Sequence, residues 1–101
     1  MTGTFITITH IPDYALSPFL RIGETLKMKK DHDNIYDEEA ILVCKPEGTK
    51  VGYCANSVKT VCRGTHSAGY VYHLFDEETE CELCFITPEG AAIARLKDEN
   101  L

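Results

Sequence analysis

Positive charge is scarce in this chain, and no long apolar stretch is present. Lys and Arg number 10 against 16 Asp and Glu, which gives a formal net charge of −6. This balance argues against a non-specific nucleic-acid binder, because such proteins usually rely on an excess of Lys and Arg. No apolar run approaches the ~20 residues of a membrane span, and the start of the chain lacks the basic and apolar regions of a signal peptide. We therefore expect a cytoplasmic protein without a membrane partner.

Cysteine is present in an odd number, five, which does not suit a disulfide framework. In a cytoplasmic protein we expect reduced thiols, most of them in the core. Cys81 and Cys84 have the spacing of a zinc-binding pair. In a strand, however, residues three apart lie on opposite faces, and there is no second such pair to complete a site. We therefore predict no metal site and no cofactor.

The length of 101 residues leaves room for one hydrophobic core, so we predict a single domain over residues 1–101. Short segments of alternating or continuous apolar residues predict strands. Their ranges are 5–9, 24–30, 40–45 and 50–54. A cap at Asn56 and Ser57, with Val58, Val61 and Cys62 on one face, predicts a short helix that ends at Gly64.

The second half of the chain predicts further strands at 70–75 and 81–86, joined by an acidic turn at 76–79. Segment 91–96 is compatible with a last strand, which we favour, or with a helix that has Pro88 at its first position. The sum is a mainly β fold of six or seven strands with one or two short helices. So many short strands in a small chain indicate a small β-barrel.

The segment from Lys30 to Ile41 carries the strongest signal for a binding site. Asp33 and Asn34 are typical of a turn in which the side chain bonds its own backbone. Tyr36 and Asp37 then present an aromatic ring beside a carboxylate, just before the buried strand at 40–45. A polar, aromatic turn that leads into a core strand is a common way to hold a site on a rigid scaffold.

The same residues resemble the HIRAN domain. Its motif is matched by Asp33-Asn34, Tyr36-Asp37, Ala40-Ile41, Val43 and Val51-Gly52-Tyr53. The resemblance covers about residues 5–96, which looks like a whole domain of the short stand-alone bacterial type. It implies a modified OB-like barrel that grips the 3′ end of single-stranded DNA, in a family otherwise found attached to DNA-repair helicases and nucleases.

The resemblance also implies a role for each pocket residue. Asp37 would accept a hydrogen bond from the terminal 3′-hydroxyl, and Tyr36 and Asn34 would hold the terminal nucleotide. Tyr14 would lie against the terminal base. A carboxylate suits a hydroxyl and repels a phosphate, and an aromatic ring stacks on any base.

Phosphate contacts are less well defined by the sequence. Lys30 belongs to a group with Lys27 and Lys29, which is either a phosphate-binding face or simply the solvated face of a strand. A phosphate-contacting lysine of the family is replaced by Asn56, and Lys59 or Arg63 one helical turn later would take its place. The chain also has Asp13 and Ala15 where the family has a basic residue and a second tyrosine.

Two functions follow. The first is a non-enzymatic nucleic-acid-binding module that recognises single-stranded DNA ends during repair or processing. The second is a protein-interaction module with the same barrel, which docks on a helicase or nuclease and does not bind DNA. The net charge of −6 and the missing tyrosine favour the second, and the motif favours the first. Without the resemblance, Tyr36 and Asp37 would be read as a capped turn.

Overall fold

Six strands in the described part of the chain close into an antiparallel barrel. A computed structural model describes residues 3–12 and 19–97. The strands are β1 (Phe5–Thr9), β2 (Thr25–Lys30), β3 (Ile41–Cys44), β4 (Lys50–Cys54), β5 (Glu78–Ile86) and β6 (Ala92–Leu96). Their order around the barrel is β1-β4-β3-β2-β5-β6, and β6 pairs with β1 to close it. The predicted fold class, a small mainly β barrel, is confirmed and is consistent with an OB-like barrel.

Alternating side chains fill the barrel interior, because successive strand residues point to opposite faces. Ile6 and Ile8 of β1 and Leu26 and Met28 of β2 are fully buried, as their alternation predicts. Other strands contribute the buried side chains of Ile41, Val43, Val51, Cys81, Leu83, Ala92 and Ala94. The strand alternative for the last segment is also confirmed, since Ala92–Leu96 pairs with both β1 and β5.

The prediction of a helix at residues 58–63 is wrong. Ser57 does begin a turn there, because its carbonyl accepts the amides of Thr60 and Val61 and its hydroxyl accepts the amide of Lys59. The amide of Cys62, however, donates to Thr7 Oγ1 at 3.0 Å rather than to the preceding turn. The segment therefore forms a single turn rather than a helix, and it is hydrogen-bonded to β1.

A strand predicted at residues 70–75 is also wrong. This region contains the helix α1 (Ala68–Val71) followed by a 3-10 turn at Tyr72–Leu74. Ser67 caps α1 by accepting the amide of Tyr70. Ala68 and Val71 lie three residues apart and both are fully buried, so helical spacing buries the two apolar positions that a strand would place on opposite faces.

The acidic turn predicted at residues 76–79 does not join two strands, because residues 70–75 are not a strand and β5 already begins at Glu78. Its register with β2 places Glu78 opposite Lys29 and Glu80 opposite Lys27. Opposite charges in such cross-strand pairs stabilise a sheet. Glu78 and Glu80 therefore lie on the outer face of a strand, opposite the lysines of β2.

No helix in the described ranges is both long and apolar enough to cross a membrane. The five cysteines are free thiols, of which Cys44, Cys54 and Cys81 are buried.

Candidate functional site

The loop between β2 and β3 is folded by its own polar groups. Asn34 Oδ1 accepts the backbone amides of Tyr36 at 2.9 Å and Asp37 at 3.0 Å. At the base of the loop, the Asp31 amide donates to the carbonyl of Ala40 at 2.9 Å. The predicted side-chain-to-backbone turn is thus confirmed for Asn34. Its consequence is that Tyr36 and Asp37 are presented from a fixed backbone.

Asp37 is held by two further hydrogen bonds. Its Oδ1 accepts the Glu39 amide at 2.8 Å, and its Oδ2 accepts Asn56 Nδ2 at 3.0 Å. Each carboxylate oxygen has two lone pairs, so one bond to each leaves acceptor capacity for another donor. The carboxylate is therefore oriented without being saturated.

Asn56 joins this loop to α1 on the opposite side. Its Oδ1 accepts the amide of Gly69 at 2.8 Å, while its Nδ2 donates to Asp37 and lies 3.4 Å from Glu39 Oε1. Only glycine fits at position 69 without displacing a neighbour, because a Cβ atom there would lie 2.6 Å from Glu39 Oε1. One amide side chain therefore connects three segments that are distant in sequence.

Strand β4 supplies the floor of the site. Gly52 permits the close approach of β4 to the chain leaving β1, since a Cβ atom there would lie 2.5 Å from the carbonyl oxygen of Thr9. Next to it, the Tyr53 hydroxyl donates to Asp31 Oδ2 at 2.8 Å. This hydrogen bond to a carboxylate, together with burial, raises the pKa of Tyr53 above its ordinary value of 10.0. The phenol therefore keeps its proton and its bond to Asp31 at neutral pH.

These segments surround an open groove of about 910 Å³, a size that accommodates a small organic ligand. It brings together three of the predicted site residues, Asn34, Tyr36 and Asp37. The wall also includes Thr9, His10, Lys50, Tyr53, Asn56 and Ser57. Tyr36 is 91% exposed at the groove, so the face of its ring is available for stacking.

The lining of the groove carries one charge of each sign, while the carboxylates of Asp31 and Glu39 lie just behind it, in contact with Tyr53 and Asn56. Its charged lining residues are Asp37 and Lys50, with His10 as a further titratable group. The Lys50 ammonium lies 5.7 Å from the centroid of the Tyr53 ring, another residue of the groove lining. Sequence analysis did not identify Lys50 as a site residue. Its only signal was its position directly before the Val51-Gly52-Tyr53 motif.

Lys30 does not line the groove. Its ammonium donates to the carbonyl of Phe75 at 3.0 Å and lies 4.2 Å from the centroid of the Tyr72 ring. Neighbouring Lys27 lies 3.9 Å from a Glu78 carboxylate oxygen. A phosphate contact by Lys30 stays a prediction. The other two lysines of β2 lie opposite glutamates of β5.

The remaining two predicted residues have different outcomes. Lys59 is exposed and lines a second, smaller groove that shares Thr9 and His10 with the first. Tyr14, like Asp13 and Ala15, lies outside the described residues. Across the described ranges, no group of three or more His, Cys, Asp or Glu side chains has an arrangement suitable for a metal ion.

The fold is shared with a protein of known structure. The chain resembles a crystal structure of a protein from Lactobacillus plantarum, a structural genomics target, with a TM-score of 0.63 and 16% sequence identity. The alignment covers 92% of this chain and 88% of that chain. At such low identity the likeness concerns the fold alone. Neither a protein-family model nor a curated protein matches the sequence.

Proposed function

We propose that this chain is a HIRAN-type module that binds single-stranded nucleic acid and captures its 3′-hydroxyl end. One observation carries the proposal: an exposed tyrosine, an oriented carboxylate and a lysine converge on one groove. These are Tyr36, Asp37 and Lys50. The combination provides a partner for each part of a terminal nucleotide, namely its base, its sugar hydroxyl and its phosphate.

End recognition is assigned to Asp37. The carboxylate has acceptor capacity left after its bonds with Glu39 and Asn56. A terminal 3′-hydroxyl would donate to it, whereas a 3′-phosphate or a continuing phosphodiester would bring negative charge against negative charge. Asp37 thus favours a free hydroxyl end over a phosphorylated or internal position.

Affinity is assigned to Tyr36 and Lys50. Base–aromatic stacking contributes about 1–3 kcal/mol per base without selecting a sequence. The Lys50 ammonium is a point charge that pairs with a phosphate at the groove floor. Because salt screens charges that lie farther away than a Debye length, the net charge of −6 weakens long-range attraction more than contact within the groove.

Two variants test this assignment on oligo-dT with a free 3′-hydroxyl. Asp37→Ala is expected to weaken binding about tenfold, the loss typical of a hydrogen bond to a charged group. Asp33→Ala is the matched control, because it removes one negative charge from an exposed position in the same loop that does not line the groove. Equal affinities for the two variants would contradict the role of Asp37.

Tyr36→Ala is a second, independent test of the proposed site. The side chain is 91% exposed, so its removal is expected to leave the folded state intact and to weaken binding about tenfold through lost stacking. Unchanged affinity would remove Tyr36 from the site.

The alternative, a protein-interaction module, is favoured by a specific surface. Ile35 is 83% exposed next to Tyr36, and Val58 is 96% exposed next to groove residue Ser57. Exposed apolar residues of this kind suit a protein partner, which the HIRAN resemblance implies to be a helicase or nuclease. Salt separates the two functions: phosphate contacts lose affinity steeply as salt rises, whereas docking on an apolar rim is expected to respond weakly.

A further inference from the structure

A second groove, of about 400 Å³, lies beside the first. Three segments form its walls: the end of β1, the turn that follows Ser57, and the turn between β5 and β6. Its lining includes Thr9, His10, Lys59, Thr60, Thr87 and Glu89. Unlike the apolar interior of the barrel, this groove is lined by hydroxyl, imidazole and charged side chains.

The two grooves share a wall. Thr9 and His10 line both of them. His10 is also the one non-glycine residue of the described ranges with positive φ, at 61°. Backbone in this region costs a non-glycine residue about 1–3 kcal/mol and is retained where the surroundings require it, often at functional sites. The conformation turns the chain between the two grooves and places the imidazole at their junction.

Both outer walls of the second groove are held firmly. Cys62 N–H donates to Thr7 Oγ1 at 3.0 Å, Thr7 and Thr65 hydroxyls lie 2.8 Å apart, and Thr65 Oγ1 donates to the Cys62 carbonyl at 2.7 Å. This closed ring of hydrogen bonds fixes the turn that carries Lys59. On the other side, Thr87 Oγ1 accepts the Ala91 amide at 3.0 Å.

The charges in the second groove oppose each other. Lys59 is exposed, and no carboxylate among the described residues forms an ion pair with it. Glu89 lies on the facing turn. A phosphate in this groove would be attracted by Lys59 and repelled by Glu89, so the two side chains have effects of opposite sign on the same ligand.

We propose that the second groove binds the part of the nucleic-acid strand that lies 5′ of the captured end, with Lys59 contacting its phosphate. This inference rests on the proposed function, because the captured 3′ end sets where the strand begins. A strand that leaves the first groove over His10 enters the second groove directly. The site is then a continuous two-groove track rather than a pocket for an isolated nucleotide.

The test compares a thymidine dinucleotide with a hexanucleotide, both unlabelled and both with a free 3′-hydroxyl, by NMR titration of the whole protein. The wild-type protein is expected to bind the hexanucleotide more tightly, with shifts of the Thr60 and Gly90 amides that the dinucleotide does not cause. Lys59→Ala is expected to bind the dinucleotide normally and to lose about threefold on the hexanucleotide, as for an exposed ion pair. For the hexanucleotide, the plot of log K against log salt concentration should be less steep for Lys59→Ala than for the wild-type protein, by about 0.7.

Two further variants sharpen the test. Glu89→Gln is expected to bind the hexanucleotide more tightly and the dinucleotide equally. Arg63→Ala is the charge-matched control for Lys59→Ala, because Arg63 is an exposed cation of the next turn, between Cys62 and Thr65, and lines neither groove. It should bind both ligands as the wild-type protein does.

Each outcome decides between the two proposals. If the dinucleotide binds in an Asp37-dependent manner but Lys59→Ala and Glu89→Gln match the wild type on both ligands, the second groove is not on the strand path and the proposed function stands. If neither oligonucleotide binds, both proposals are wrong.

Discussion

Asn56 is the residue on which the geometry of the groove depends most. Its side chain donates to Asp37, approaches Glu39 and accepts the amide of Gly69. A position expected from the HIRAN resemblance to contact phosphate therefore holds a carboxylate in place instead. In this chain the neighbouring strand β4 provides the groove lysine, Lys50.

Replacing Asn56 by Asp tests this role at one atom. Asn56→Asp keeps an acceptor for Gly69 but places a carboxylate oxygen where the amide donor lay 3.0 Å from Asp37 Oδ2. At pH 7 we expect a loss of about 1–3 kcal/mol in the free energy of unfolding, since a hydrogen bond becomes a repulsion. Two neighbouring carboxylates repel each other in the folded variant, which favours their protonation. The loss in the free energy of unfolding should therefore be smaller near pH 4.

Urea unfolding of both proteins at the two pH values measures this effect. A variant as stable as the wild-type protein at pH 7 would contradict the bridging role of Asn56.

At the scale of elements, two glycines set how closely the segments around the groove approach one another. At Gly52 a Cβ atom would lie 2.5 Å from a backbone oxygen, that of Thr9. At Gly69 it would meet Glu39 Oε1, the end of a flexible side chain, at 2.6 Å. The backbone oxygen of Thr9 can move only if the strand moves, whereas the side chain of Glu39 can rotate away.

The two Gly→Ala variants should therefore differ clearly in stability. Gly52→Ala is expected to cost about 1–3 kcal/mol, as other overpacked interiors do. Gly69→Ala should be near neutral in stability, because alanine favours the helix, while the displaced Glu39 disturbs the Asp37 cluster. Thermal or urea unfolding gives the ranking. Equal costs, or a larger cost for Gly69→Ala, would contradict this account of the strand approach.

Elements with a clear apolar period could be predicted from the sequence. Ile6 and Ile8, and likewise Leu26 and Met28, alternate and are buried as expected. The helix predicted at residues 58–63 failed for a tertiary reason: the Cys62 amide bonds to Thr7, which is 55 residues away. Sequence spacing carries no signal for such a partner.

The prediction of a hairpin turn at residues 76–79 was wrong because charge was taken as evidence for a turn. Glu78 and Glu80 instead face lysines across a strand pair, and that register is set by the closed barrel. In the candidate site, the local turn at Asn34 was predictable because its partners are two and three residues away. The contributions of Asn56 and Lys50 depend on how distant segments pack, so they required the structure.

At the scale of the whole molecule, the barrel interior contains thiols that burial keeps protonated. Burial raises the pKa of Cys54 to about 12 and also raises the pKa of Cys81. In the unfolded chain a thiol ionises near its ordinary value of about 8.5. The folded state therefore retains protons that the unfolded state loses, and stability falls as pH rises from that value towards the folded pKa.

The resulting prediction concerns alkaline stability. Above about pH 9 the free energy of unfolding should fall by about 1.4 kcal/mol per pH unit for each of these two thiols. In Cys54→Ala the free energy of unfolding should fall less steeply with pH, because one of the two thiols is gone. Denaturant unfolding between pH 8 and 10.5 measures this difference. Parallel curves for the two proteins would contradict the burial of a neutral thiol at position 54.

Charge is unevenly distributed around the molecule, and the lining of the groove carries one charge of each sign. Glutamates of β5 face the lysines of β2 on one side of the barrel, while Lys50 and Asp37 balance each other in the groove. An acidic protein is thereby compatible with a ligand that carries phosphate, provided that recognition takes place at short range. Binding is then expected to be salt-sensitive but limited to a few contacts.

The central claim is that the groove recognises a free 3′-hydroxyl end, and one comparison tests it directly. Binding of the wild-type protein to oligo-dT with a 3′-hydroxyl is measured beside the same oligonucleotide with a 3′-phosphate, at low and moderate salt. We expect about tenfold tighter binding of the hydroxyl end at both salt concentrations, because Asp37 accepts the hydroxyl and repels the phosphate. Equal affinity, or tighter binding of the phosphate end, would contradict it.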